Sequence, residues 1–300
     1  MFIQSFRSLL MNKWACLIFL QCYALGNSST CLANTTPSYG LPLYYWQQNS
    51  FVNFGDYLSL KLVERIVDGP VRVYRRHPSN KEKKLLAVGS LFYFAKQDDV
   101  IWGTGINRKC SDDDYTFTQL DIRAVRGPLT RQFLLEKFHI TCPEIYGDPA
   151  LLVPYFFPEF KKKEHPTYDY IVIVHYSETK LFPKNLYDNI VYSTEPWDQI
   201  IEKITDSKFV ISSSLHGIIV AESYGIPARL LRVTETEPLF KYYDYYYGTN
   251  RFHFDYATSI EEALMMGGEP PFQCDLKKLY DAFPFEFWPN TKFKELRLQY

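Results

Sequence analysis

The stretch Ile211-Ser212-Ser213-Ser214-Leu215-His216-Gly217 places three hydroxyls and an imidazole where an apolar run gives way to a helix-like one. A helix start offers unpaired N–H groups and the positive end of its dipole, and serine hydroxyls add donors, so this turn suits a phosphate or carboxylate. An unperturbed imidazole titrates near neutral pH, so His216 can pass a proton beside such a ligand; capping or packing is the alternative for a lone histidine here. The turn Ala124-Val125-Arg126-Gly127-Pro128 brings a guanidinium to a similar place. There it can grip an anion through two parallel hydrogen bonds or form a salt bridge. Two further turns, Asn53-Phe54-Gly55-Asp56 and Trp102-Gly103-Thr104-Gly105, add polar groups and pliable backbone, though tight-turn geometry alone accounts for such glycines. No GxGxxG follows a strand, which argues against a nicotinamide cofactor, and no GxSxG, Walker or HExxH sequence is present.

These residues meet only if the elements between them deliver them to one edge. In open α/β sheets that edge lies beyond the carboxyl ends of the strands. After residue 40, strand-like runs at 43–46, 71–74, 84–88, 100–102 and 120–125 alternate with helical patterns at 57–67 and 127–137, with Asp56 placed to cap the first helix. A second series follows: strands at 170–175, 209–212 and 228–233, helices at 197–204 and 217–224. Strands alternating with helices indicate parallel sheets. Between the series, residues 154–168 carry Phe156-Phe157-Pro158, Lys161-Lys162-Lys163 and Pro166, a composition expected of a linker. The expected layout is a leader at 1–33, α/β domains at 40–155 and 168–283, and an aromatic tail at 284–300.

The 300 residues carry 33 Lys+Arg against 34 Asp+Glu, a net charge of -1 that gives no reason to expect a nucleic-acid partner. Aromatics reach 17%, crowding toward the C-terminus, where they fill core and contacts or face sugar. Arg7 and Lys13 ahead of the apolar run 14–25, with small residues after it, form a signal-peptide pattern even if Met11 is the start. The run is too short to span a bilayer, so entry to a secretory lumen or periplasm is expected, with a membrane anchor as the alternative. Asn27-Ser28-Ser29 and Asn34-Thr35-Thr36 fit the glycosylation pattern. Cleavage would remove Cys16 and Cys22, leaving Cys31, Cys110, Cys142 and Cys274 without metal-ligand spacing and free to form one or two disulfides.

Taken in order, the turns at 53–56, Val88-Gly89-Ser90-Leu91, 102–105, Arg123 to Pro128, Tyr146-Gly147-Asp148-Pro149-Ala150, and Ser214-Leu215-His216-Gly217 with Ala221-Glu222-Ser223-Tyr224-Gly225-Ile226-Pro227 resemble the polysaccharide pyruvyl transferase family from about residue 53 to 248. The resemblance implies two Rossmann-like domains in a GT-B-like arrangement. It implies transfer of pyruvate from phosphoenolpyruvate, a co-substrate and not a cofactor, to two hydroxyls of a glycan as a cyclic ketal. His216 and Arg126 match the family's catalytic positions. Asn53, Gly55, Asp56, Gly89, Ser90, Gly103, Thr104, Gly105, Asp148, Ser213, Ser214, Leu215, Gly217, Glu222 and Lys241 are the implied substrate-binding residues, with no metal ligand among them. Several family members have arginine directly before Leu-His where this chain has Ser214; either Lys241 replaces that cation or the donor differs, as in a nucleotide-sugar glycosyltransferase. A noncatalytic carbohydrate-binding relative is the third reading.

Overall fold

Short strands, most of them apolar and buried on both sides, build two parallel sheets, as sequences with near-continuous Val/Ile/Leu runs should. The computed structural model describes residues 40–48, 51–77, 81–184, 189–289, 291 and 296. The expected leader, with its cysteines and glycosylation patterns, lies outside the described residues, as does much of the expected tail. Among the described residues no helix is long and apolar enough to cross a membrane.

The first sheet has the order β1 (Leu43–Tyr44), β2 (Leu85–Leu86), β3 (Val100–Trp102), β4 (Asp121–Ala124), all parallel. The strand expected at 71–74 is reduced to one parallel bridge, Val73 to Leu43, on the free edge of β1. The second sheet comprises β5 (Ile171–Val174), β6 (Ile190–Tyr192), β7 (Val210–Ser212), β8 (Ala228–Leu231) and β9 (Tyr256–Ala257), in the order β6-β5-β7-β8-β9. Here the chain starts inside the sheet, steps to one edge and then builds the other side. With the Val73 bridge counted as an edge, the first sheet does the same. This is the doubly wound order whose direction reverses at a crevice beside the first strand. The reversal falls between β1 and β2 in one sheet and between β5 and β7 in the other.

Helices cover both sheets: α1 (Phe54–Val67), α2 (Pro128–Phe138), α3 (Val153–Phe156), α4 (Trp197–Thr205), α5 (Leu215–Ser223), α6 (Phe240–Gly248), α7 (Ile260–Met266) and α8 (Leu276–Asp281). In α1 the apolar stripe Leu58, Leu62, Ile66 is fully buried, and the helix stops at Asp68, whose left-handed backbone (φ 55°) returns its N–H to Glu64 O. Most of α5 is buried all round, as an apolar LHGIIVAES sequence requires. One continuous apolar core joins Leu43, Leu85 and Trp102 of the first sheet to Ile171, Val210 and Leu230 of the second through α1, α3 and α5. The composition shift at 154–168 opens inside α3, and the Phe157 ring packs edge-on against Trp197 at 5.1 Å. Toward the chain's end, the Trp102 indole donates to Leu279 O at 2.8 Å, so α8 closes against the first sheet.

Candidate active site

Both reversals open onto one cleft of about 450 Å³, a size typical of small-molecule sites. Trp46, Ser90 and Leu91 enter it from the first sheet; His175, Ser214 and His216 enter from the second.

His216 owes its position to the strand-to-helix turn. At the end of β7 the Ser212 hydroxyl accepts from Ser214 N (3.0 Å) and lies 3.0 Å from Ile173 O, tying the turn to β5. Gly217 permits this close passage, because a Cβ there would sit 2.4 Å from Ser212 Oγ. Ser213 faces back into the fold, accepting from His175 N at 2.9 Å, while Ser214 is the N-cap residue of α5 without a side-chain cap bond and lines the cleft with Leu215. The His216 ring lies over α1 where Gly55 has no side chain; a Cβ there would fall 1.9 Å from Nδ1. On its other edge, Nε2 is 3.5 Å from Asp148 Oδ2, and both atoms are buried without a hydrogen-bond partner. Asp148 is fixed by its other oxygen, which accepts from Ala150 N at 3.0 Å. Buried polar atoms rarely go unpartnered in a finished interior, and among the described residues this facing pair is the one that combines an imidazole with a carboxylate beside the cleft.

Asp56 does not cap α1. The helix begins at Phe54 with Asn53 as N-cap residue, so Asp56 lies inside the first turn and points into the cleft. Asn53 Nδ2 donates to its Oδ2 at 2.7 Å, leaving Asn53 Oδ1 buried and unpartnered. Burial drives the Asp56 carboxyl up to about 6, against the pull of Asn53, His216 and Lys241. Gly89, at φ 113°, allows the approach of this carboxylate: a Cβ would stand 2.9 Å from Asp56 Oδ1.

Of the cleft-wall residues not named as candidates, His175, Lys109 and Glu237 form one connected group. His175, just beyond β5, contacts Ser177 Oγ through Nδ1 (2.7 Å) and stands 3.7 Å from Glu237 through Nε2. Burial, reinforced by Lys241 and opposed by Glu237, pushes its ring down to about 3, so it is neutral at physiological pH. Glu237 bonds both Lys241, on α6, and Lys109, from the loop after β3. Burial raises Glu237, but Lys241, His175 and Lys109 outweigh it and hold the carboxyl near 2. Lys241 is itself lowered by desolvation despite Glu237, whereas the Lys109 side chain, 37% exposed, is the more accessible cation. The position of His175 at a strand's carboxyl end was the available signal. Lys109, 128 residues from the Glu237 that it bonds, carried none.

A sequence model of the polysaccharide pyruvyl transferase family matches residues 34–234. The chain belongs to the polysaccharide pyruvyl transferase family. It is 29% identical over 228 residues to an uncharacterized protein of Acanthamoeba polyphaga mimivirus, covering 72% of this chain and 78% of that one. It is 28% identical over 213 residues to the succinoglycan biosynthesis protein ExoV of Rhizobium meliloti, covering 67% of this chain and 63% of that protein. A solved structure of a functionally uncharacterized Klebsiella pneumoniae protein aligns with 70% of this chain and 89% of its own at TM-score 0.42 and 12% identity.

In this polysaccharide pyruvyl transferase the matched span includes Asp56, Asp148, His175 and His216 and ends just before Glu237 and Lys241. Arg126 also falls within it but does not line the cleft. Its fully buried guanidinium contacts Asp244 (3.1 Å), Ser90 Oγ (2.8 Å) and Ile106 O (2.6 Å). Gly105 makes room for it, since a Cβ there would lie 2.3 Å from the guanidinium carbon. Arg126 thus sits behind the wall and steadies Ser90, which faces the cleft. Thr104 bonds Gly89 O at 2.9 Å and accepts from Leu91 N at 3.0 Å, fixing the same loop, and Gly103 (φ 80°) lets Pro149 pack close. Glu222 is remote, at the far end of α5, where it pairs with Arg251 at 2.7 Å. Cys110, Cys142 and Cys274 are free thiols.

Proposed function

We propose that this polysaccharide pyruvyl transferase takes its pyruvyl group from phosphoenolpyruvate and closes it as a ketal on a sugar of a glycan, in the cleft between two Rossmann-like halves arranged in the GT-B manner. The observation that carries the reading is the orphaned His216–Asp148 pair beside a carboxyl that titrates near 6. A proton on Nε2 directed at Asp148 satisfies both buried atoms and leaves Nδ1 to exchange protons where Gly55 has no side chain.

In the reaction, protonated Asp56 delivers its proton to the enol methylene, and the phosphate-bearing carbon becomes cationic. A sugar hydroxyl adds there and yields its proton to Nδ1 of His216. The carbon–oxygen bond to phosphate then breaks, its electron pair leaving with the phosphate, which takes the proton from His216. The second hydroxyl adds to the resulting oxocarbenium carbon and returns a proton to Asp56. Lys109 and Lys241 supply positive charge near the donor, a preorganised electrostatic contribution. Lys241 occupies the role left open by Ser214, and Arg126 acts by positioning Ser90. The test is release of inorganic phosphate from phosphoenolpyruvate, dependent on an acceptor glycan and lost in His216→Ala. Turnover of nucleotide-sugars with no such release would refute the donor. The compartment belongs to the same proposal, a secretory lumen or periplasm, and N-terminal sequencing of the mature chain checks it.

A further inference from the structure

Beside the cleft, across a rim formed by Tyr93, Phe94 and Asp114, opens a second cavity of about 440 Å³. Its lining is basic and aromatic. Arg76, His77, Lys84 and Lys96 face Tyr44 and Tyr74, and Asp114 on the shared rim is the one carboxylate in the wall. The Arg76 guanidinium stands 5.0 Å over the Phe94 ring, and the Lys84 ammonium 4.9 Å over that of Tyr74. Tyr44 completes the aromatic face, with its ring 5.0 Å from Phe94.

The cations are not consumed equally by the fold. Lys84 is buried and bonded to Asp99. Burial lowers its pKa, and Lys96 and Arg76 lower it further, so three like charges crowd one side of the cavity. Arg76 and Lys96 are exposed and enter no ion pair with a described residue, although Arg76 hydrogen-bonds the Tyr44 hydroxyl. Lys84 is compensated by Asp99, whereas Arg76 and Lys96 face solvent without an opposite charge and so can pair with an anionic ligand. Ring faces stack on the apolar face of a pyranose, while lysine and arginine pair with carboxylate or phosphoryl oxygens. Asp114 repels an anion from the rim, which leaves the far side of the cavity as its place.

We propose that this second cavity binds a sugar of the acceptor glycan adjacent to the one being modified, through an anionic substituent, carboxylate or phosphoryl, paired with Arg76 and Lys96. The inference rests on the glycan-acceptor reading of the neighbouring cleft. It makes the enzyme selective for acidic glycans by a device outside the reacting centre.

The experiment titrates the full-length protein with three probes: a uronic-acid trisaccharide, its carboxyl-reduced neutral counterpart, and a glycosyl phosphate. One or both charged probes should bind at least about tenfold more tightly than the neutral one, with the advantage shrinking as salt rises. Whichever charged probe binds identifies the source of the anion. In the double variant Arg76→Gln/Lys96→Gln the preference should vanish while the melting temperature and neutral-sugar affinity remain. Equal binding of charged and neutral probes, no binding of any, or a preference that survives in the double variant overturns the proposal. Acceptor-independent behaviour toward phosphoenolpyruvate, measured separately, would count against the donor chemistry and leave a demonstrated charge preference intact.

Discussion

Replacing Asp56 by Asn tests whether this carboxyl is a strained proton carrier or a packing residue. The substitution keeps shape and retains an oxygen to accept from Asn53, now at 2.7 Å. Because burial moves Asp56 from 3.8 to about 6, the native state holds its proton more tightly than the unfolded chain does. The associated stability is complete below the unfolded value and is lost as pH rises through about 6. At roughly 1.4 kcal/mol per unit, ionised Asp56 costs the fold about 3 kcal/mol at pH 8, around half of it accumulating above pH 5. Asp56→Asn should therefore gain stability relative to the native chain as pH rises from 5 to 8, measured by denaturant unfolding, while phosphate release falls by at least about 100-fold. A stability difference flat with pH would refute the buried-carboxyl argument. A stabilised variant with undiminished turnover would refute the proton-carrier role alone.

Gly55→Ala drives a methyl into the space beside His216 Nδ1, where a Cβ would stand at 1.9 Å; turnover should drop about 100-fold with circular dichroism unchanged, since about 1 Å of misplacement has that effect. Arg126→Met leaves Asp244 buried with its Thr130 hydrogen bonds but no opposite charge, so unfolding measurements should show a loss of about 3–5 kcal/mol. A stable variant with only a raised donor KM would instead return Arg126 to the donor. His175, with its pKa pushed down to about 3, should show no titration of its ring protons by NMR between pH 8 and pH 5. Its neutral burial costs stability progressively as pH falls below the ordinary histidine value, since the unfolded chain then binds the extra proton.

The alternation of strands and helices was legible in the sequence because parallel-sheet strands are apolar on both faces and their turns carry glycine. The two edge strands of the second sheet, β6 and β9, were not read. His216 could be found because it sits in the turn after a strand, Asp148 because its motif matches the family, and Asp56 through a glycine-bearing turn motif, though Asp56 was assigned a capping role that the earlier start of α1 removes. Arg126 and Glu222 were read toward substrate because a charge carries no sign of its partner in the sequence. Asp244 lies 118 residues beyond Arg126, and Arg251 lies 29 beyond Glu222. The same distance hid the link of Lys109 to Glu237 and Lys241, although Lys241 itself was named. These residues acquire chemistry only when α6 and the loop after β3 converge.

Trp102 gives the chain a schedule. It is fully buried in the first sheet, yet its indole N–H is satisfied by Leu279 and its ring meets Phe283 edge-on at 4.9 Å. On a ribosome, the early sheet therefore waits, with a polar group and an aromatic face uncovered, until Leu279 and Phe283 have emerged. A protein shortened before residue 276 loses more than a terminal helix, because its oldest strands are left without their last layer.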